Sequence, residues 1–390
     1  MTFLDFKRFA LLAKMTGLSQ LVIVVNAKIA SAEALDSTIN EQVIMLPVIE
    51  HGNEFQFETT IFKPPGYGPF PLLLMNHGKE IGDPHKQKRD RFLAISREFV
   101  KRGYAVAVPM RRGFARSTGT YTDHGCNMAD NGHLQADDIE AALVALLKQN
   151  WVDRERIIIG GQSYGGLAAM AFGVRQFPGV RALINFAGGL RVDGRGCDWK
   201  NSLIKAFASY ATNTSLPSLW FYGENDSYFD HPLAMQLLNA YQSAAVVPEL
   251  SAFGKFKNDA HGMAGSRDGV AIWLPETERF LQRLGMPTSP VVEIAEMARP
   301  AATNFSPLEN IAAVPYLSSA GRMGYRDYLN KSSPRAFALS ASGSWSWASE
   351  GDDPSDRALV SCQKKSAVPC RLFSIDNDIV WVDSMAPIAN

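Results

Sequence analysis

Ser163, Asp226 and His261 are the residues of this chain whose types and order could carry nucleophilic catalysis. A serine hydroxyl is a poor nucleophile at neutral pH and needs an adjacent base, usually a histidine oriented by a carboxylate. Ser163 stands within Gly161-Gln162-Ser163-Tyr164-Gly165-Gly166, just after Ile157-Ile158-Ile159. Three isoleucines in a row predict a strand buried on both faces. After Gly166, the residues Leu167, Met170, Ala171, Val174 and Phe177 recur at helical spacing, and Pro178-Gly179 stops the helix. A strand that turns at once into a helix has no room for side chains two positions either side of its apex, a need that glycine meets. The apex serine is then strained and exposed at a helix N-terminus, where the dipole favours developing negative charge. The rival reading is a glycine-rich turn with an incidental serine.

In a sheet wound by helices, such groups come from loops at the carboxyl ends of strands, and the order expected after the serine is acid, then histidine. Asp226 follows Ser218-Leu219-Trp220-Phe221-Tyr222 by one short turn. His261 follows the short strand expected at Glu249 to Phe253 and is flanked by Ala260 and Gly262, which leave its ring room. Glu224 and Asp230 are rival acids, Asp259 lies too near His261 along the chain, and His231 precedes Pro232 at an expected helix start. A tetrahedral oxyanion needs two donors. The backbone N–H of Tyr164 is one candidate; the N–H of Lys79, after Asn76-His77-Gly78, is the other. His77, Arg112, Tyr121 and Trp199 are candidate substrate contacts. Phe114 and the Tyr164 side chain are further candidate pocket walls, and Arg111, Arg112 and Arg116 could favour an acidic substrate group or serve in ion pairs.

The positioning elements read as α/β. Phe55 to Phe62 alternates as a half-exposed strand, while Pro71 to Asn76, Tyr104 to Pro109 and Val180 to Phe186 are buried strands. Helices are expected over Phe92 to Val100, Leu134 to Gln149, Leu233 to Ala244 and Trp273 to Leu284. Strands alternating with helices predict a mostly parallel sheet with helices on both faces. Glu33 to Ile49 has no clear period. Gly188 to Thr214 is a long connection, a candidate partial lid. Beyond a proline-rich linker or extended wrap at 287–307, residues 308–390 read as a small α+β unit. It has short strands near 336–340, 371–375 and 379–382, a helix over Pro354 to Lys365, and a hairpin turn at Asp376-Asn377-Asp378. The catalytic domain is expected over 33–286.

These residues resemble the α/β-hydrolase fold, and more narrowly its dienelactone-hydrolase-like and prolyl-oligopeptidase-like branch, over roughly Phe55 to Leu284. The resemblance rests on Asn76-His77-Gly78, Arg112-Gly113-x-x-x-Ser117-x-Gly119, Gly161-Gln162-Ser163-Tyr164-Gly165-Gly166, Gly223-x-x-Asp226 and Ala260-His261-Gly262. It implies a Ser163/Asp226/His261 triad and hydrolysis through an acyl-enzyme. The chain also departs from its relatives. Dienelactone hydrolases use a cysteine where Ser163 stands, so their lactone substrate does not transfer. The large propeller of the prolyl peptidases is absent, and His77-Gly78-Lys79-Glu80 replaces the His-Gly-Gly-Gly run of many lipases.

Composition bounds the remaining options. With Lys plus Arg at 39 against Asp plus Glu at 39 and no long like-charge block, nothing suggests a nucleic-acid surface or a polybasic membrane anchor. Residues 1–32 carry Lys7, Arg8 and Lys14, then an apolar run to Val25, then Ala30-Ser31-Ala32, which reads as a secretory signal peptide too short to span a membrane. Four cysteines in an exported chain suggest two disulfides; of three possible pairings, proximity favours Cys362–Cys370 with Cys126–Cys197. No CxxC is present, and His124, Cys126 and His133 lack a familiar metal spacing, so no metal or cofactor is expected. The reading is a periplasmic or secreted serine hydrolase cleaving a small or medium carboxylic ester. A short-peptide peptidase and a non-catalytic binding protein on the same scaffold are the alternatives. The C-terminal unit is expected to dock envelope material or simply to cover the sheet.

Overall fold

The computed structural model describes residues 35–194, 196–295, 299–331, 333–349 and 354–382; the expected signal peptide lies outside them. In chain order the first elements are β1 (Gln42–Glu50), β2 (Asn53–Phe62), β3 (Phe70–Asn76), α1 (Leu93–Lys101), β4 (Ala105–Pro109), α2 (Met128–Leu146) and β5 (Val152–Gln162). Next come α3 (Tyr164–Phe172), β6 (Val180–Phe186), α4 (Trp199–Ala211), β7 (Ser218–Gly223), α5 (His231–Ala240), β8 (Glu249–Phe253) and α6 (Val270–Arg283). The eight strands form one sheet in the order β1-β2-β4-β3-β5-β6-β7-β8. β1, β2 and β4 pair antiparallel, and every pairing from β4 through β3 to β8 is parallel.

The isoleucine run explains why β5 is central. Ile157 and Ile159 point into the core under α2, α3, α4 and α5, whereas Ile158 points into the core under α1 and α6. All three are fully buried, each contributing roughly 1.5–3 kcal/mol by leaving water. Both faces are therefore covered, as a parallel sheet requires.

Several local expectations are corrected. β1 lies in the stretch without clear period; toward its end Leu46, Val48 and Glu50 alternate inward, on an edge strand that includes Pro47. α2 begins at Met128, earlier than the apolar pattern suggests, because the Asn127 side chain accepts from the Asp130 N–H. The proposed lid is largely α4, whose Leu203, Ala206, Phe207 and Tyr210 are buried in the main core. A strap follows α6: Tyr104 Oη donates to the Pro287 carbonyl at 2.8 Å, and the N–H groups of Val291 and Val292 both donate to the Lys101 carbonyl.

The C-terminal part comprises α7 (Ser319–Leu329), β9 (Arg335–Ser340), β10 (Trp345–Ser349), α8 (Pro354–Gln363), β11 (Cys370–Ile375) and β12 (Asp378–Ile379). Its antiparallel sheet has the order β10-β9-β11-β12. Ser374 pairs with Ile379 and Ile375 with Asp378, closing the hairpin at Asp376-Asn377. Cys126 bonds Cys197 and Cys362 bonds Cys370, the pairing that proximity favours. Among the described residues, no helix is long and apolar enough to cross a membrane.

Candidate active site

Ser163 is the single residue between β5 and α3, with φ +56° and ψ −123°. That conformation is costly for a residue with a Cβ, by roughly 1–3 kcal/mol. Four backbone hydrogen bonds hold it. The Ser163 N–H donates to the Phe186 carbonyl at 3.0 Å, and the Ser163 carbonyl accepts from the N–H groups of Gly166, Leu167 and Gly189. The flanking glycines are required by contact. A Cβ on Gly161 would stand 2.1 Å from the Gly165 carbonyl oxygen, and one on Gly165 would stand 2.1 Å from the Asn76 carbonyl oxygen. The turn is thus wedged against the end of β3, and Ser163 remains partly exposed.

Asp226 and His261 meet after β7 and β8. His261 Nδ1 lies 3.0 Å from Asp226 Oδ2, with the carboxylate side chain fully buried and the imidazole 16% exposed. Asp226 Oδ1 accepts from the N–H groups of Tyr228 at 2.8 Å and Phe229 at 2.9 Å. A carboxylate fixed on three donors orients the ring and favours the tautomer with the proton on Nδ1, leaving Nε2 as an acceptor. The rings of Tyr228 and Phe229 pack against the imidazole with centroids at 4.6 and 5.6 Å. Gln162 ties this loop to the serine turn, donating from Nε2 to the His261 carbonyl at 2.8 Å. Neither the Ser163 hydroxyl nor His261 Nε2 has a hydrogen-bond partner among the described residues.

The rival acids have other occupations. Asp259 caps the His261 turn, accepting from the His261 N–H at 2.9 Å and from both the N–H and the hydroxyl of Ser227. Burial opposes its charge, yet these donors outweigh it and hold the carboxyl below its ordinary range. Asp230 caps α5 through the Leu233 N–H, Glu224 is exposed opposite Lys255, and His231 opens α5.

On the other side of the serine, a Cβ on Gly78 would stand 3.2 Å from Ser163 Cβ and 3.7 Å from its hydroxyl oxygen. The loop carrying the Lys79 N–H therefore lies against the Ser163 turn. The Tyr164 N–H is at the first position of α3, where no intrahelical acceptor exists. Among the described residues, neither of these two N–H groups is hydrogen-bonded.

Six of the candidate substrate and pocket residues are engaged within the fold. His77 is fully buried and saturated: Nε2 accepts from the Arg111 N–H at 3.0 Å, and Nδ1 donates to the Gly78 carbonyl at 2.6 Å. Burial, with the neighbouring Arg111 guanidinium, keeps its pKa well below the usual histidine range. His77 is thus built into the loop after β3 through both ring nitrogens. Arg112 is engaged by Glu50 at 2.6 Å and Asp138 at 3.2 Å, so it is a structural cation. Arg111 and Arg116 are likewise taken up, by Gln135 and by Glu58. Tyr164 turns its ring into the core, and its hydroxyl donates to the Asn131 carbonyl at 3.2 Å. Phe114 is fully buried, packed against His77.

Tyr121 and Trp199 stay near the site's rim. Tyr121 packs on Phe114 and lies under the Lys79 ammonium, 5.5 Å from its ring centroid; burial pushes its phenol up to about 12. Trp199 packs edge-on against Phe229, the neighbour of His261. Sequence reasoning missed Tyr228, Phe229 and Gln162; their adjacency to Asp226 and Ser163 was the available signal. For metals, Glu50, His51 and Asp137 bring ligand atoms within 4.8 Å of one another. Arg112 and Arg175 already pair with those carboxylates, which disfavours a cation there. Cys126 is spent in its disulfide and cannot join His124 and His133.

Residues 92–180 match the model of the prolyl oligopeptidase family. That stretch contains the Ser163 turn and ends before Asp226 and His261. The acylamino-acid-releasing enzyme of Mus musculus is 26% identical over 129 residues, 32% of this chain and 16% of that enzyme. The esterase Pf2001 of Pyrococcus furiosus is 14% identical at a TM-score of 0.46, covering 65% of this chain and 96% of that one. The acylaminoacyl peptidase of Pyrococcus horikoshii is 18% identical at a TM-score of 0.47, covering 66% of this chain and 43% of that one.

Proposed function

We propose that the chain is a serine hydrolase of the α/β-hydrolase type cleaving small or medium carboxylic esters, a reading supported by the wound parallel sheet and by the match of residues 92–180 to the prolyl oligopeptidase family. The observation that carries this reading is the 3.0 Å bond between a fully buried Asp226 carboxylate and His261 Nδ1, in loops tied to a strained, partly exposed Ser163. Ser163 Oγ attacks the ester carbonyl carbon, and its proton passes to His261 Nε2. That transfer needs the two atoms to close to hydrogen-bond distance with substrate in place, a contact that ligand-free hydrolase sites often leave long. The oxyanion accepts hydrogen bonds from the N–H groups of Tyr164 and Lys79. Collapse expels the alkoxide, which takes the proton from His261 and leaves an acyl-Ser163. Water, deprotonated by His261, then attacks the acyl carbon, and the acid departs as Ser163 recovers its proton. Asp226 stabilises the imidazolium.

The two disulfides support export to an oxidising compartment, the periplasm or the exterior. Peptide cleavage is the second reading, favoured by the match of residues 92–180 to the prolyl oligopeptidase family. The test is fluorophosphonate labelling of wild type and Ser163→Ala, followed by p-nitrophenyl esters of increasing chain length beside peptide anilides. Labelling confined to wild type, with ester turnover, is the expected result. Anilide turnover without ester turnover would overturn the ester preference, and an unlabelled but folded wild type would overturn the serine mechanism.

A further inference from the structure

His261 sits in the middle of a loop whose two ends are joined by one side chain. The Lys257 ammonium, only 15% exposed, donates to Ser266 Oγ at 3.0 Å and pairs with Asp268 at 2.6 Å. Its third donor reaches out of the loop altogether, to the Ser333 carbonyl between α7 and β9. The backbone of Lys257 is held from the opposite side. Its φ of +46° is in the left-handed region, and its carbonyl accepts from Asn225 Nδ2 at 3.1 Å. Asn225 also takes the Phe256 N–H on Oδ1 at 2.9 Å and is the residue before Asp226. One chain of contacts therefore runs from Ser333 through Lys257 and Asn225 to the Asp226–His261 pair.

We propose that Lys257 is a positioning residue for the His261 loop, and that the C-terminal unit takes part in the site by holding the Lys257 ammonium through the Ser333 carbonyl. The inference rests on His261 acting as the base. Lysine suits the task because an ammonium can serve three acceptors at once. Without it, the Ser333 and Ser266 acceptors lose their donor, Asp268 its counter-charge, and the loop its outer tie. A displacement of the imidazole by even about 1 Å is enough to cost on the order of a hundredfold in rate.

The experiment uses the full chain and p-nitrophenyl butyrate, comparing wild type with Ser163→Ala, Lys257→Met and Lys257→Arg. Thermal denaturation is followed for each, and hydrogen exchange for wild type and Lys257→Met. We expect Lys257→Met to lower kcat about thirtyfold with KM within about twofold, and Lys257→Arg to recover most of the loss. Exchange should quicken in Lys257→Met both in peptides spanning residues 258–266 and in those containing Ser333. Turnover of Lys257→Met within about twofold of wild type, a loss that arginine does not recover, or unchanged exchange around Ser333 would each overturn the proposal. If Lys257→Met does not fold, Lys257→Gln replaces it with the same expected directions. Failure of both to fold also overturns the proposal, since the lysine would then hold the fold and not place the imidazole. Ser163→Ala separates this inference from the reading beneath it. An inactive Ser163→Ala beside an unimpaired Lys257→Met rejects the brace alone; an active Ser163→Ala rejects the serine mechanism and the brace together.

Discussion

His77 and His261 lie in loops on either side of the Ser163 turn, after β3 and after β8, and their surroundings differ in two respects. His77 is fully buried and uses both ring nitrogens, one on the Arg111 N–H and one on the Gly78 carbonyl. His261 is partly exposed, uses Nδ1 on Asp226, and has no hydrogen bond at Nε2 among the described residues. A buried ring with every lone pair and proton engaged is a structural strut, because changing its protonation breaks contacts already made. A ring oriented at one nitrogen and open at the other can exchange a proton while keeping its place. The same residue type is thus fully engaged on one side of Ser163 and open at one nitrogen on the other.

The sharpest way to break this contrast is to remove each ring in turn. His261→Ala should lower kcat by at least about 10³-fold, with some loss of melting temperature as well, since the buried Asp226 carboxylate and the Tyr228 and Phe229 rings all touch the imidazole. Steady-state ester kinetics beside a thermal melt read both quantities. A variant that melts far below wild type but keeps its turnover would reverse the assignment of the two histidines. Asp226→Asn tests the orienting half of the pair. An asparagine amide presented to Nδ1 favours the wrong tautomer, and kcat should fall by about 10³ to 10⁴. Equal activity of Asp226→Asn and wild type would remove the carboxylate from the mechanism.

His77→Ala should act on stability first. It strips the Arg111 N–H and the Gly78 carbonyl of their ring partners and opens space beside Phe114, a loss of about 2–4 kcal/mol. Its pH dependence carries a definite sign. Burial, followed by the Arg111 charge, depresses the folded-state pKa of His77, so the unfolded chain binds a proton that the folded chain refuses. Stability therefore falls as pH drops below the unfolded histidine value of about 6.5, by up to about 1.4 kcal/mol per pH unit. Denaturant melts between pH 5 and 8 should show this slope in wild type and lack it in His77→Ala. An unchanged slope would assign the acid sensitivity to other groups.

The contrast between the two histidines also marks where sequence reading stops. The serine turn is legible because its requirement is local: Ile157 to Ile159 sets the strand, and Gly161 and Gly165 leave the only clearance that the turn permits. Asp226 and His261 are legible from their order after strands. The saturation of His77 is not, since the Arg111 N–H reaches it from a later loop that no spacing rule connects to it. Arg112 takes the ion-pair role left open for it, but its partners Glu50 and Asp138 lie far off on either side and no spacing names them. Beyond the main sheet, α7 escapes a propensity reading because it carries Gly321 and Gly324. Both glycines face Trp345, and a Cβ on Gly324 would stand 2.0 Å from the indole. A residue that weakens a helix in isolation is here the one that lets it pack.

The smallest expected effect sharpens the comparison on the His77 side, where the strut meets the chemistry. Gly78 needs no left-handed backbone, so alanine is sterically limited only by Ser163, whose Cβ would be 3.2 Å away. That distance is too close for an easy contact and too long for a clash that would block folding. The loop should retreat by a few tenths of an ångström, carrying the Lys79 N–H with it. An oxyanion donor moved that far loses part of its transition-state hydrogen bond while substrate binding is little touched. Gly78→Ala should therefore lower kcat about tenfold, with KM and melting temperature close to wild type. A fall in KM affinity with unchanged kcat would instead place this loop at the substrate's entrance, and would leave the Tyr164 N–H to be paired with a donor other than Lys79.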